Sequence, residues 1–383
     1  MNFAFQLKDA IGGAYRGRTR RAKVGSQVIY YRGLIDRRKF LLTPLALARA
    51  ANAAPNLLLI TPSGWRGQAV PWDGAPDLTA PNLEEFGKQS VVFSRTYCAS
   101  PKPDLAQTAL LTSKFPHAAK LDDAPLRQLK KVTPEEAIQA FEKTPFAIQV
   151  TFLDPPSLHP PNEARVHPRG NVPPGVETVA RRALSRFYGH CNAIDESIGK
   201  ILAALDQRKL ADDTIVVFTS DCGQQLGSHR VEGSGVFFEE SIRIPLAIRY
   251  PRKLTPDARD LATQVDIMPT LLTLCGMEIP EGIQDNIQGV DLFGKTPPEV
   301  GFSEGKLGEA DEWRMMIRGF DKLIATPKGE ITHLFNLADD PFELTNLVHD
   351  SAQKLNLASL KAQLLAQMKK LGDGLDPSGL RIR

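Results

Sequence analysis

The side chains best suited to chemistry in this 383-residue chain sit in loops that follow short apolar runs. Asp104 and Asp221 offer carboxylates, Cys222 a thiol, and His159 and His229 imidazoles. Together such groups can hold a metal or drive hydrolysis. Arg66, Lys102 and Lys114 are cations of the kind that grip an oxyanion. The densest of these loops is YCASPKPDLAQTALLTSKFPH, Tyr97 to His117. A polar, Pro-rich stretch leads there into a short apolar helix expected over Thr108–Thr112, and a helix N-terminus presents free N–H groups to an anion. The alternative for an isolated loop His or Lys is a solvated side chain. Cys98, Cys191, Cys222 and Cys275 match no zinc or redox spacing and read as buried small hydrophobes, with Cys98 a disulfide candidate if the chain is exported.

Several elements must position these groups. Asn56–Thr61, Val91–Tyr97, Pro145–Leu153 and Thr214–Thr219 are short apolar runs followed by loops rich in Pro, Gly or Asp, the pattern of buried strands. Helices are expected from Pro81, over Pro134–Lys143, and over Val179–Asp206 with apolar residues at helical spacing. In an open α/β sheet, ligands sit beyond the carboxyl ends of the strands. The C-terminal part reads as a meander, Trp313–Arg318, Asp321–Ala325 and His333–Leu337. A terminal helix over Ala352–Leu371 follows, apolar at Leu355, Leu360, Leu364 and Met368.

The order of these words resembles the sulfatase family, of alkaline-phosphatase-like fold. There the Tyr97 segment runs Tyr-Cys-Ala-x-Pro, then Cys/Ser-x-Pro-x-Arg, then Ala-x-Leu-Leu-Thr-Gly-Arg-Tyr-Pro-His. Thr79–Phe86, Ser220–Gly223, Gly233–Pro245, Val265–Leu272 and Asp339–Leu347 resemble further family stretches in the same order. The resemblance implies an α/β fold: a mixed, mostly parallel sheet sandwiched by helices over 54–300, and a small antiparallel β-plus-helix subdomain over 301–383. It also implies sulfuric ester hydrolysis by a formylglycine made from Cys or Ser, assisted by calcium. Aligned without a gap, however, Pro103 takes the nucleophile position and Gln107 that of the arginine. Ser234 stands at the lysine position and Pro156 at the histidine position. Ser63 and Gly64 fall where two acidic metal ligands belong, and Cys222 replaces a His or Asn, so Asp221 is the acidic ligand retained. The Gly-Lys-Trp-His word is absent, and a strand is expected to be lost with it. Asp195, Glu239, Glu240 and Arg243 are expected to be scaffold.

Proline has no side-chain heteroatom, and calcium requires several hard oxygens. The expectation is therefore an impaired sulfatase-like protein holding a sulfated or anionic ligand or a protein partner, with no calcium assigned. A hydrolase with a site rebuilt from Asp104, Asp221, Cys222, His159 and His229 is the alternative, and a structural subunit of a complex the third. Net charge is +3, but residues 1–53 hold eleven Lys/Arg against two Asp/Glu, leaving 36 basic and 42 acidic residues in the body. Nucleic acid is not an expected partner, and no apolar run approaches the ~20 residues of a membrane span. Asp36–Leu42 resembles a twin-arginine export signal, followed by an apolar run and Ala51-Asn52-Ala53 as a cleavage site. The expected destination is the bacterial periplasm or exterior, or the cytoplasm if that segment does not act as a signal.

Overall fold

The computed structural model describes residues 54–120, 129–152, 158–277 and 287–373, with the backbone of 20–24 and 27–31. The twin-arginine segment, the cleavage site and Pro156 lie outside the described residues. Within the N-terminal unit, β1 (Arg20–Val24) and β2 (Gln27–Tyr31) pair antiparallel.

The remaining chain builds one large sheet. Its strands are β3 (Asn56–Ile60), β4 (Val91–Tyr97), β5 (Lys130–Val132), β6 (Ala147–Val150), β7 (Thr214–Thr219), β8 (Arg243–Ile244), β9 (Leu246–Arg249) and β10 (Asp257–Thr263). They lie in the order β10-β4-β9-β7-β3-β6-β5, with β8 also on β4. β3 is parallel to β6 and β7, β5 to β6, and β10 to β4, whereas β8 and β9 run antiparallel to their neighbours. β5, three residues long, forms the edge of the sheet beside β6. Because successive strand side chains alternate faces, Leu58, Ile60, Val216 and Phe218 pack on one side and Leu57, Leu59, Ile215 and Val217 on the other.

Helices cover both faces. α1 (Pro81–Lys88), α3 (Pro134–Ala140) and α4 (Glu177–Gln207) pack on the first; α2 (Pro103–Thr112) and α6 (Ile267–Leu274) pack on the second. α5 (Glu239–Ile242) is a single turn before β8. Asp195 on α4 is structural, as expected. Its carboxylate accepts from Asn82 N, Asn82 Nδ2 and Leu83 N, satisfying the N-terminus of α1 where no side chain of its own does so. α2 starts earlier than expected, at Pro103, because a proline at the first helical position loses no hydrogen bond.

The C-terminal sheet is a meander, β11 (Gly301–Gly305), β12 (Trp313–Arg318), β13 (Asp321–Ala325) and β14 (Ile331–Asn336), with α7 (Lys354–Leu371) on one face. α7 buries Leu360, Leu364, Met368 and Leu371; Leu355, expected in that stripe, is 86% exposed. All four cysteines are buried and free, so Cys98 forms no disulfide. Among the described residues, no helix is long and apolar enough to cross a membrane.

Candidate functional site

The parallel strands bring the loops after β3, β4, β7 and β10 to one edge. Gln264, just past β10, ties three of these strand ends together: its Oε1 accepts from Ala99 N, and its Nε2 donates to Ser220 O and Asp221 O. Asp221 follows β7 by two residues and meets the loop after β3. Ser63 Oγ donates to its Oδ2 at 2.6 Å, Gly64 N to Oδ1 at 2.9 Å, and Cys222 N to Oδ1 at 2.6 Å. Gly64 has φ +72°, and a Cβ there would lie 2.2 Å from Gln224 Nε2. No carboxylate could therefore be presented from position 64 without displacing Gln224.

The positions that the sequence comparison pairs with metal ligands do converge, but as donors around one acceptor. The Cys222 thiol is buried; burial first, then the Asp221 carboxylate, pushes its pKa far up and keeps the proton on sulfur. A calcium ion needs six to eight oxygens and several negative charges. One carboxylate already engaged by two N–H groups and the Ser63 and Ser220 hydroxyls, beside a protonated thiol, does not fit it.

A cleft of about 440 Å³ opens at the start of α2, lined by Ser100, Lys102, Pro103, Ser234, Gly235 and Lys306, among others. Pro103 and Ser234, far apart in sequence, thus share one cavity. Lys102 is exposed with no ion-pair partner among the described residues, while Lys306 pairs with Asp311. Ser100 is 1% exposed, and its hydroxyl has no hydrogen-bond partner. Gln107 points elsewhere: its Nε2 donates to Gln149 Oε1 at 3.2 Å, and Gln149 Nε2 donates to Thr61 Oγ1 at 2.7 Å. An uncharged amide relay thus joins α2, β6 and the end of β3. Asp104 is exposed, and Lys114 is half-buried without a side-chain partner among the described residues.

The other candidates are dispersed. Arg66 is not a surface cation. It is 2% exposed, donates from Nη2 to Tyr188 Oη at 3.4 Å and lies 5.6 Å from the centre of the Phe187 ring. His159 has an 85% exposed side chain whose nearest acid, Glu196, is 4.0 Å away. His229 belongs to another cluster. It stacks on Phe238 with ring centres 3.6 Å apart and faces Asn171 Nδ2 at 3.0 Å, and burial lowers its pKa, leaving the ring neutral.

Sequence reasoning did not find where the strongest buried charge lies. His229, Glu240 and Glu343 converge, as do His117, Glu304 and Asp373. Both groups already hold protein cations. Lys322 Nζ donates to Glu343 at 2.6 Å and Glu239 at 3.0 Å, and Arg169 pairs with Glu240 at 2.6 Å. Arg314 pairs with Glu304 at 3.3 Å and also with Asp373. Two carboxylates share Lys322, so one is favoured protonated; burial, against the pull of Lys322, pushes Glu343 up to about 7. A buried Lys inside a strand carries no charge pattern to read; only the pairing of Glu239 and Glu343 around it reveals the role.

The family model described as Sulfatase matches residues 126–277. The chain is 26% identical to an ulvan-active sulfatase of Formosa agariphila over 83% of this chain and 82% of that protein. It is 29% identical to an arylsulfatase of Clostridium perfringens over 51% of this chain and 42% of that one. Among solved structures, the phosphonate monoester hydrolase of Agrobacterium radiobacter superposes with a TM-score of 0.71 at 17% identity, covering 85% of this chain and 99% of that chain. A 2-O GAG sulfatase superposes at 0.68 and 18% identity, covering 84% and 93%. At such identities the superpositions speak to the fold alone.

Proposed function

The chain belongs to the sulfatase family, and from that premise we propose that it holds a sulfated or otherwise anionic ligand in the cleft at Pro103 without hydrolysing it. The observation that carries this reading is Pro103 itself. It opens α2 and lines the cleft, at the position where the resemblance requires an oxidisable Cys or Ser. A proline ring cannot become an aldehyde hydrate and cannot attack sulfur. The engaged Asp221 adds to the case, because its oxygens are already taken up by protein donors.

Binding has more to work with than catalysis. The N-terminal turn of α2 lines the cleft with Pro103 and Leu105, Lys102 supplies a cation unpaired among the described residues, and the Ser100 hydroxyl lies in the wall. These groups suit an oxyanion; none of them is a nucleophile paired with a base. The Asp36–Leu42 segment supports export as part of the same proposal.

The test is an assay of the purified full chain with aryl sulfates and aryl phosphates, with and without calcium, beside calorimetry with inorganic sulfate. The expected result is no turnover above background and sulfate binding weakened by Lys102→Ala. Turnover that Asp221→Ala abolishes would establish a working hydrolase and overturn the proposal.

A further inference from the structure

A second concavity, of about 360 Å³, lies away from that cleft, between α4 and the loop that returns from Gln225 to Gly233. Its floor is apolar: Val176, Val179, Ala180, Ala183 and Leu226. Val179 is 59% exposed, unusual for a large aliphatic side chain in a concave surface. Its rim is basic. Arg182 and Arg186 stand four residues apart on one face of α4, and Arg230 faces them from the loop. Like charges at that helical spacing repel, and little here offsets it. Arg182 reaches Glu163 at 3.6 Å with both side chains more than half exposed. Arg186 and Arg230 have no carboxylate in ion-pairing distance among the described residues. Glu232 is the one acid in the lining.

The loop that delivers Arg230 is held in a strained shape. Leu226, Gly227, His229 and Arg230 have φ of +50°, +98°, +53° and +63°, the left-handed region that side chains other than glycine rarely occupy. Gln225 N donates to Gly233 O, Leu226 N to Glu232 O and Gly227 N to Val231 O, which fixes that shape. At the tip, a Cβ on Gly227 would lie 2.8 Å from Ala180 Cβ, so the loop sits directly on the helix. Concave apolar surface, unneutralised guanidinium groups and a braced loop together describe a ligand site rather than an accidental dent.

We propose that this groove is a second binding site for a small amphipathic anion. The ligand would have a flat aryl or alkyl body on the Val179–Ala183 floor and one sulfate, sulfonate or carboxylate head between Arg186 and Arg230. The inference is independent of the reading of the Pro103 cleft. A purely polar anion such as inorganic sulfate has no body to cover the floor and is a poor occupant.

The test is calorimetric titration of the full chain with 4-methylumbelliferyl sulfate, repeated in excess inorganic sulfate. Saturable binding is expected. The double variant Arg186→Gln/Arg230→Gln should weaken it by about tenfold or more, the scale of lost charge-assisted hydrogen bonds. Val179→Glu, which puts a negative charge on an exposed floor position, should weaken it comparably, and excess inorganic sulfate should leave it unchanged. All these substitutions are at exposed positions, and a melting temperature equal to wild type checks their folding. Absence of saturable binding, or groove variants that bind as wild type does, would overturn the proposal. Binding lost in Lys102→Ala but kept in the groove variants would also overturn it, while assigning the ligand to the Pro103 cleft. Sulfate binding that fails at the cleft while the aryl sulfate still depends on Arg186 and Arg230 would overturn the cleft reading alone.

Discussion

The loops at the carboxyl ends of β3 and β7 and the seam under the small sheet treat charge in opposite ways. At the loops, one half-buried carboxylate, Asp221, is surrounded by neutral donors from Ser63, Gly64 and Cys222. At the seam, Lys322 and Arg314 are fully buried and each is held by carboxylates from other elements. The seam joins parts distant in sequence: Glu304 on β11 receives a hydrogen bond from His117 N, and Glu239 on α5 accepts from Lys322 on β13. The comparison teaches that charge in this molecule is concentrated where it holds the two sheets together. It is thin where an ester would have to be polarised. A buried charge is tolerable only when paired, so the seam must keep its pairs, whereas at Asp221 the exposed Ser63 hydroxyl can exchange its bond for water.

The largest effect is expected from the seam. Lys322→Met would leave Glu239 and Glu343 buried without their cation, at a cost of about 3–5 kcal/mol in urea denaturation. A loss below about 1 kcal/mol would reduce the seam to the level of a surface ion pair and erase the contrast.

A buried carboxylate with neutral donors sharpens it next. Asp266 accepts from Thr263 N, Thr263 Oγ1 and Val290 N, the same donor types as at Asp221, but it is 3% exposed. Burial, against those hydrogen bonds, raises its pKa to about 6. The native state then keeps a proton that the unfolded chain releases. The resulting stability is present at acid pH and is lost as pH rises from the ordinary carboxylate range through about 6. Relative to Asp266→Asn, wild type should lose roughly 2–3 kcal/mol across that window in urea midpoints measured at a series of pH values. Parallel curves would show that hydrogen bonding outweighs burial at this site.

The smallest effect is expected at Asp221. Asp221→Ala removes the acceptor for four donors, of which the exposed Ser63 hydroxyl can turn to water, so the cost should be about 1–2 kcal/mol. The loss should be the same with calcium or with a chelator. A wild-type melting temperature that calcium raises, with no such rise in the variant, would mean that the cluster opens to admit the ion.

The strands that carry the cleft were legible because Leu57–Ile60 and Ile215–Phe218 are buried on both faces, and continuous apolar runs leave no other reading once bounded by turns. β10 and β11 were not. DARDLAT is an edge strand with exposed charges, and GFSEG has glycine at both ends, so neither shows the apolar signature of a strand. The start of α2 was misplaced because Pro103 reads equally as loop and as first helical residue. At the site, the identity of each residue was legible but its company was not. Arg66 reads as a loop cation and is buried against Tyr188 and Phe187.

What the residues alone decided is the chemistry that is possible: a ring without a heteroatom at position 103, and a single carboxylate among the aligned metal-ligand positions. No folding can add an oxygen to a proline. What only the tertiary structure decided is how that carboxylate is used. Gly64 and Asp221 are 157 residues apart, and whether they share a cation or a hydrogen bond depends on the sheet that brings their loops together. Burial and partnership are properties of that three-dimensional neighbourhood, and they determine which of the remaining charges brace the fold and which stay free to meet a ligand.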